Sequence, residues 1–412
     1  MDPRFFAVAC ACSLLASSAY SLPIQRDINR TNPRWDYNGR YLVGVSNFGA
    51  TTVWSALDGR RLYRFVIRKY LVRAELSQPG ELLITSYNVP YMADMYVPDE
   101  RFEPMRVWDL RTGKEAMSIA NASYGQFSND GKLIFGLFYP PGSYYRRNKR
   151  ITLSPELCAW NAQTGKRLFR LPLKGNPPPA SEGYTMQQSG DGSALLLAYD
   201  QHLWVVNAKS GRLIRHVEID LGGRDDLQFI NAAATLVQQA SVSAITTFAL
   251  PTGRQIKQTR RPDARHNWQT AWFDDGNTFA AVHQQGYVFS NANGSPWREE
   301  SDFGRPISLV ADTKHNQLLI NGLTEHPAHG PSRELVTAFD LDARKRSWQI
   351  PGTLCSIWNG RAVVQTYDRN RLETKISLVD LEDGTTLRTI ALETYDHIFL
   401  PLARIRIRAT SF

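Results

Sequence analysis

Cysteine is scarce in this chain: four residues in 412, with Cys10 and Cys12 inside the N-terminal apolar stretch and Cys158 and Cys355 far apart downstream. That supply excludes a disulfide-stapled scaffold, and the wide separation of Cys158 and Cys355 predicts two buried free thiols rather than a bridge. Past the first two dozen residues no apolar run is long enough to cross a bilayer as a helix. Nucleotide and hydrolase signatures are missing too. There is no Gly-x-Ser-x-Gly elbow, phosphate loop, dinucleotide fingerprint or His-Glu-x-x-His, and no Cys-x-x-Cys-His for haem attachment. Sustained helical periodicity is nearly absent, which argues against α/β folds.

What is present begins with "MDPRFFAVACACSLLASSAYSLP", a charged start with Arg4, an apolar run and then small residues. This is the form of a secretory signal peptide, expected over residues 1–21, with a buried N-terminal strand or helix as the alternative. The net charge is +9, and removal of Asp2 and Arg4 together leaves it unchanged. An excess of positive charge favours anionic surroundings. For an exported chain those are acidic envelope polymers, lipid head groups or an acidic protein, and nucleic acid is not expected.

The body of the chain is one repeat. "VWSALDGRRL" at Val53, "VWDLRTGKEA" at Val107 and "AWNAQTGKRL" at Ala159 are followed by "VVNAKSGRLI" at Val205, "FALPTGRQI" at Phe248 and "FSNANGSPW" at Phe289. "AFDLDARKRSW" at Ala338, which lacks the glycine, and "LVDLEDGTTL" at Leu378 complete eight copies. Each is preceded by an apolar–turn–apolar segment such as "WDYNGRYLVGV" or "FSNDGKLIFG". The Asn-Gly and Asp-Gly pairs supply the positive φ of tight hairpin turns. Each unit therefore reads as strands A, B, C and D of a four-stranded antiparallel blade. In "WDLRTGK", Asp109 is placed to accept backbone N–H groups two residues on, while Gly113 takes the left-handed conformation.

These units resemble the WD-repeat and quinoprotein-like β-propeller superfamilies. Ala338, Asp340 and Trp348 match the tryptophan-docking repeat of quinoproteins, and Ala159, Asn161 and Phe169 match it loosely. The resemblance implies an all-β propeller over residues 22–412, of eight blades, with seven as the alternative. Closure that mixes N- and C-terminal strands in one blade is a further expectation, with "YDHIFLPLARIRIRATSF" as spare strand material. The resemblance identifies architecture, and no extended quinone-binding signature accompanies it.

Strand phase assigns every long insertion to one face. Ser86–Pro104, Leu137–Leu157 and Leu323–Glu334 are B–C loops, and Lys174–Tyr184 is a D–A loop. Two are rich in Tyr and Pro, and aromatic and Arg side chains are enriched at recognition surfaces. Tyr91, Tyr96, Tyr144, Tyr145, Arg146 and Arg147 are the candidate partner-binding residues. Packing of the loops onto the propeller would also account for their aromatic residues. Basic clusters at Arg60–Arg73, Arg146–Arg150 and Arg260–Arg265 read as solvated surface or anion contacts. Arg404, Arg406 and Arg408 read as one face of an edge strand.

Weaker candidates are Glu325, His326 and His329 for a metal, and Asp225 and Asp226 for ligand contact. Asp274 and Asp275 fit a turn, and His202, His216, His266, His283, His315 and His397 read as surface or blade-packing residues. No cofactor or metal site is expected. Strands A show no His or carboxylate recurring at a common position. The favoured expectation is a monomeric exported binding or scaffold protein that engages a protein partner or an anionic envelope polymer. The alternative is a propeller enzyme of lactonase, lyase or dehydrogenase type, with its site near the central channel.

Overall fold

The Asx-Gly corners fold as hairpins and set the phase of everything else. In the computed structural model, the Asp109 carboxylate accepts the Arg111 N–H at 2.8 Å and the Gly113 N–H donates to the Asp109 carbonyl at 2.8 Å. Gly113 sits at φ 68°, which a Cβ would disfavour. Asn161, Asn207, Asp340 and Asp380 hold the equivalent corners through their own Oδ1 atoms. In the copy without glycine, Arg344 takes the left-handed position at φ 52°.

The structure describes residues 35–391 apart from 46–49, 67–71, 79, 88–103, 141–144, 147–148, 151–154, 174–184, 190, 200–201, 219–225, 230–235, 241–243, 250–253, 261–267, 273–278, 284–286, 291–296, 301–304, 313, 325–332 and 369–372. Among these residues every helix or strand element is a strand. Eight four-stranded antiparallel sheets span 35–66, 72–119, 122–172, 185–218, 226–260, 268–300, 305–351 and 353–391. Each is built from four consecutive propeller strands, A to D; blade three adds a two-stranded hairpin, Tyr145–Arg146 with Lys149–Arg150. The chain is an eight-bladed β-propeller.

Blades bury their faces against one another. Strand B of blade one, Tyr41–Val45, is buried throughout, as a strand with sheet on both sides requires. Apolar clusters fill seven of the eight inter-blade interfaces among the described residues. Each fully buried Leu, Ile or Phe contributes roughly 1.5–3 kcal/mol, so the ring is held by many such contacts. Cys158 and Cys355 lie inside this packing as free thiols. Burial pushes the Cys158 thiol up to about 12, and that of Cys355 higher still.

A docking contact recurs between neighbours. The C–D glycine of one blade faces a strand-D side chain of the preceding blade: Gly113 faces Tyr63, Gly165 Met117, Gly211 Phe169 and Gly384 Trp348. Trp348 also donates its indole N–H to the Leu381 carbonyl at 3.0 Å. The Ala338–Asp340–Trp348 unit thus docks as its pattern implied. Gly59 of blade one receives Ile390 of blade eight in the same way, which closes the ring. Closure among the described residues is by side-chain packing, without the strand exchange expected from sequence. Residues 1–34 and 392–412, with the signal-like segment and Arg404–Arg408, lie outside the described residues.

Candidate functional site

Connection lengths divide the two faces. Every A–B and C–D connection spans six residues or fewer. All longer connections leave the other face: 88–104, 139–155 and 325–332 between strands B and C, and 173–184, 219–225 and 261–267 between strands D and A. The three longest, 88–104, 139–155 and 173–184, spring from blade two, blade three and the step from blade three to four. The strands they join lie in one sector of the ring. Residues 325–332 leave blade seven, four blades further round the ring.

Of the candidate binding residues, Tyr91, Tyr96, Tyr144 and Arg147 lie outside the described residues. The backbone of Tyr145 and Arg146 forms one arm of the blade-three hairpin, with Tyr145 opposite Arg150 and Arg146 opposite Lys149. The hairpin lies within the B–C connection of blade three, and three of its four residues are basic in sequence. Glu325, His326, His329, Asp225, Asp274 and Asp275 also fall outside, and Asp226 opens strand A of blade five, Asp226–Phe229. Arg60 and Asp58 form an exposed pair at 3.9 Å on the opposite, short-turn face.

The inner strands correct one expectation. Cross-strand register places Asp36, Glu75, Gln126, Gln187, Gln228, Gln269, Val310 and Ser356 at one common strand-A position. Hydrogen-bonding side chains thus recur there in seven blades, beginning with two carboxylates. Asp36 accepts the Leu76 N–H of blade two at 2.6 Å, and Glu75 accepts the Phe127 N–H of blade three at 2.9 Å. Both carboxylates are buried and act as staples between adjacent inner strands. A buried carboxylate that accepts a backbone N–H offsets part of its desolvation.

Among the described residues, one group of His, Cys, Asp or Glu brings three ligand atoms within 4.8 Å of one another: His202, His216 and Glu218. From sequence alone these histidines read as surface or blade-packing residues. Their signal is alternation, with His202 beginning strand C and His216 and Glu218 ending strand D of one hairpin. That places the group at the loop-bearing end of blade four.

No family model and no curated protein matches the chain. Solved structures do. A dihydro-haem d1 dehydrogenase, NirN, solved in complex with DHE, superposes with a TM-score of 0.58 over 94% of this chain and 84% of its own, at 13% identity. BamB from Moraxella catarrhalis gives 0.52 over 83% and 95%, at 12% identity. The computationally designed Ika8 protein gives 0.53 over 88% and 95%, at 13% identity. The chain shares the β-propeller fold with these structures. At such identities the likeness is one of fold.

Proposed function

We propose that this propeller is an exported binding or scaffold protein, and that it holds a protein partner or an anionic envelope polymer on its loop-bearing face. The observation that carries the reading is the one-sided distribution of connections longer than six residues. A scaffold that needed only stability has no reason to lengthen its loops on one face and keep them short on the other. Long loops in compact domains are where recognition resides. The sector over blades two to four concentrates Tyr91, Tyr96, Tyr144, Tyr145, Arg146 and Arg147 within its segments. A net charge of +9 suits an anionic partner. The signal-like first 21 residues support export, with residues 22–412 as the mature propeller.

The test is capture from envelope extract with the purified chain as bait. Simultaneous Tyr144→Ser, Tyr145→Ser, Arg146→Ser and Arg147→Ser is expected to lose the captured species, while Arg60→Ser on the short-turn face retains it. Undiminished recovery by the fourfold variant would overturn the site. Recovery by the native chain should also fall as salt rises from 0.05 to about 0.5 M, because exposed charges are screened beyond a Debye length of roughly 4 Å there.

A further inference from the structure

Four side chains share one face of the outer hairpin of blade four. His202 and Trp204 alternate along strand C, His202–Asn207, while His216 and Glu218 alternate along strand D, Leu213–Glu218. Register sets His202 opposite Glu218 and Trp204 opposite His216. Same-face residues on paired strands are close neighbours, so the backbone itself gathers the group. His202 Nδ1 and His216 Nε2 lie 3.2 Å apart, and Glu218 Oε1 lies 3.8 Å from His202 Nδ1.

The rings are held rather than loose. Trp204 is 5% exposed and belongs to the core between blades three and four. Its ring stacks on His216 at 5.2 Å and 11°, and His216 stacks on His202 at 5.2 Å and 30°. The buried indole therefore sets the imidazole planes. The Glu218 side chain is 74% exposed, and that of His202 is 24% exposed, so an ion can enter from solvent.

We propose that His202, His216 and Glu218 bind a borderline divalent transition metal, with Zn²⁺ the ion of reference. Two nitrogens each about 2.0–2.1 Å from a tetrahedral ion stand roughly 3.3 Å apart, close to the separation found here. Two imidazoles and one carboxylate are a donor set that such ions favour, and hard cations such as Ca²⁺ and Mg²⁺ do not. Three protein ligands leave a fourth position open, on the face that carries the long insertions. The site is distinct from the proposed Tyr–Arg surface and does not depend on it.

The test uses the untagged full chain stripped with chelator, titrated with Zn²⁺ by calorimetry and with Co²⁺ by visible absorption. One ion per chain is expected, with the spectrum of a four-coordinate site. Loss of groups that merely orient metal ligands costs about 10–100-fold in affinity. His202→Ala and His216→Ala, which remove ligands outright, should therefore weaken Zn²⁺ at least about 100-fold, and Glu218→Gln about tenfold. Glu218 is exposed, so its variant keeps the fold even where a histidine variant does not. Quenching of tryptophan fluorescence by Cu²⁺ should diminish in Trp204→Phe. Absence of stoichiometric Zn²⁺, or undiminished affinity in both Glu218→Gln and His202→Ala, overturns the site and leaves a plain His–His hydrogen bond.

Discussion

Trp348 reaches from strand D of blade seven onto the C–D corner of blade eight, where its indole N–H meets the Leu381 carbonyl at 3.0 Å. A Cβ on Gly384 would lie 2.7 Å from that ring, and the residue sits at φ 76°, so the corner must be glycine for the ring to seat. Trp348→Ala should destabilise by about 3–5 kcal/mol, and Trp348→Phe by about 1 kcal/mol for the lost hydrogen bond. Gly384→Ala should also destabilise, but the Trp348→Ala/Gly384→Ala pair should cost at least about 0.5 kcal/mol less than the sum. Denaturant midpoints of the four proteins check this; strict additivity would mean that ring and glycine do not touch. Trp348 was legible because a tryptophan at fixed distance from Ala338 and Asp340 is a rare pattern. Tyr63, Met117 and Ile390 occupy the same seat and were not legible, since any large apolar side chain fills it and identity drifts between copies.

The buried thiols give a second prediction at this scale. Desolvation lifts the Cys158 thiol to about 12, and only thiolate reacts readily. Native protein at pH 8 should leave both Cys158 and Cys355 unmodified by an aromatic disulfide reagent, and denaturant should release them together. Rapid labelling of native protein at either cysteine would show that its blade interface opens.

At the scale of the element, the hairpin turns carry the acid sensitivity. Asp109 is held below the usual carboxylate range by its bond to the Arg111 side chain, Asp130 by the Ser128 hydroxyl, and Asp191 by the Ser193 backbone N–H. A carboxyl whose folded value is depressed contributes stability above its ordinary unfolded value of about 3.9, and loses it as pH falls through the lower folded value. The contribution of these turns should therefore be level from pH 7 to 5 and decline below about pH 4. Asp109→Asn, Asp130→Asn and Asp191→Asn combined should flatten that decline in denaturant titrations; an unchanged slope would place the acid sensitivity elsewhere. These turns are also why strand phase could be read from sequence, because Asx and Gly at fixed offsets are local signals. The inner-strand position of Asp36, Glu75 and Gln126 escaped for the complementary reason. A–B turns differ in length among blades, from two residues after Trp358 to six after Phe229, so alignment by turn slips the common register. The His202–His216–Glu218 group escaped because cross-strand neighbours are contiguous only once the hairpin register is known.

For the whole molecule, the decisive contact is between the first and last blades. Tyr37, Leu42 and Trp54 of blade one share a core with Cys355, Val363, Ile376 and Ile390 of blade eight, and Arg361 donates to the Tyr37 hydroxyl at 3.4 Å. Sequence showed eight units but pointed to strand exchange at the closure, because a side-chain seam has no motif of its own. In a ring of repeats each blade is stabilised chiefly by its two neighbours, so the seam is worth as much as any internal interface. Ile390→Ala should lower stability by about 2–5 kcal/mol, since Ile390 is only 4% exposed and seats on Gly59. Deletion of 353–391 should be far more severe. It bares Tyr37, Leu42 and Trp54 on one side and Val336, Ala338 and Trp348 on the other, two apolar faces of a kind soluble monomers rarely expose. That shortened chain should elute as aggregate from size exclusion, or not remain soluble. A monodisperse product with a cooperative melt would mean that seven blades can close without the eighth, and that the seam is not what fixes the ring at eight.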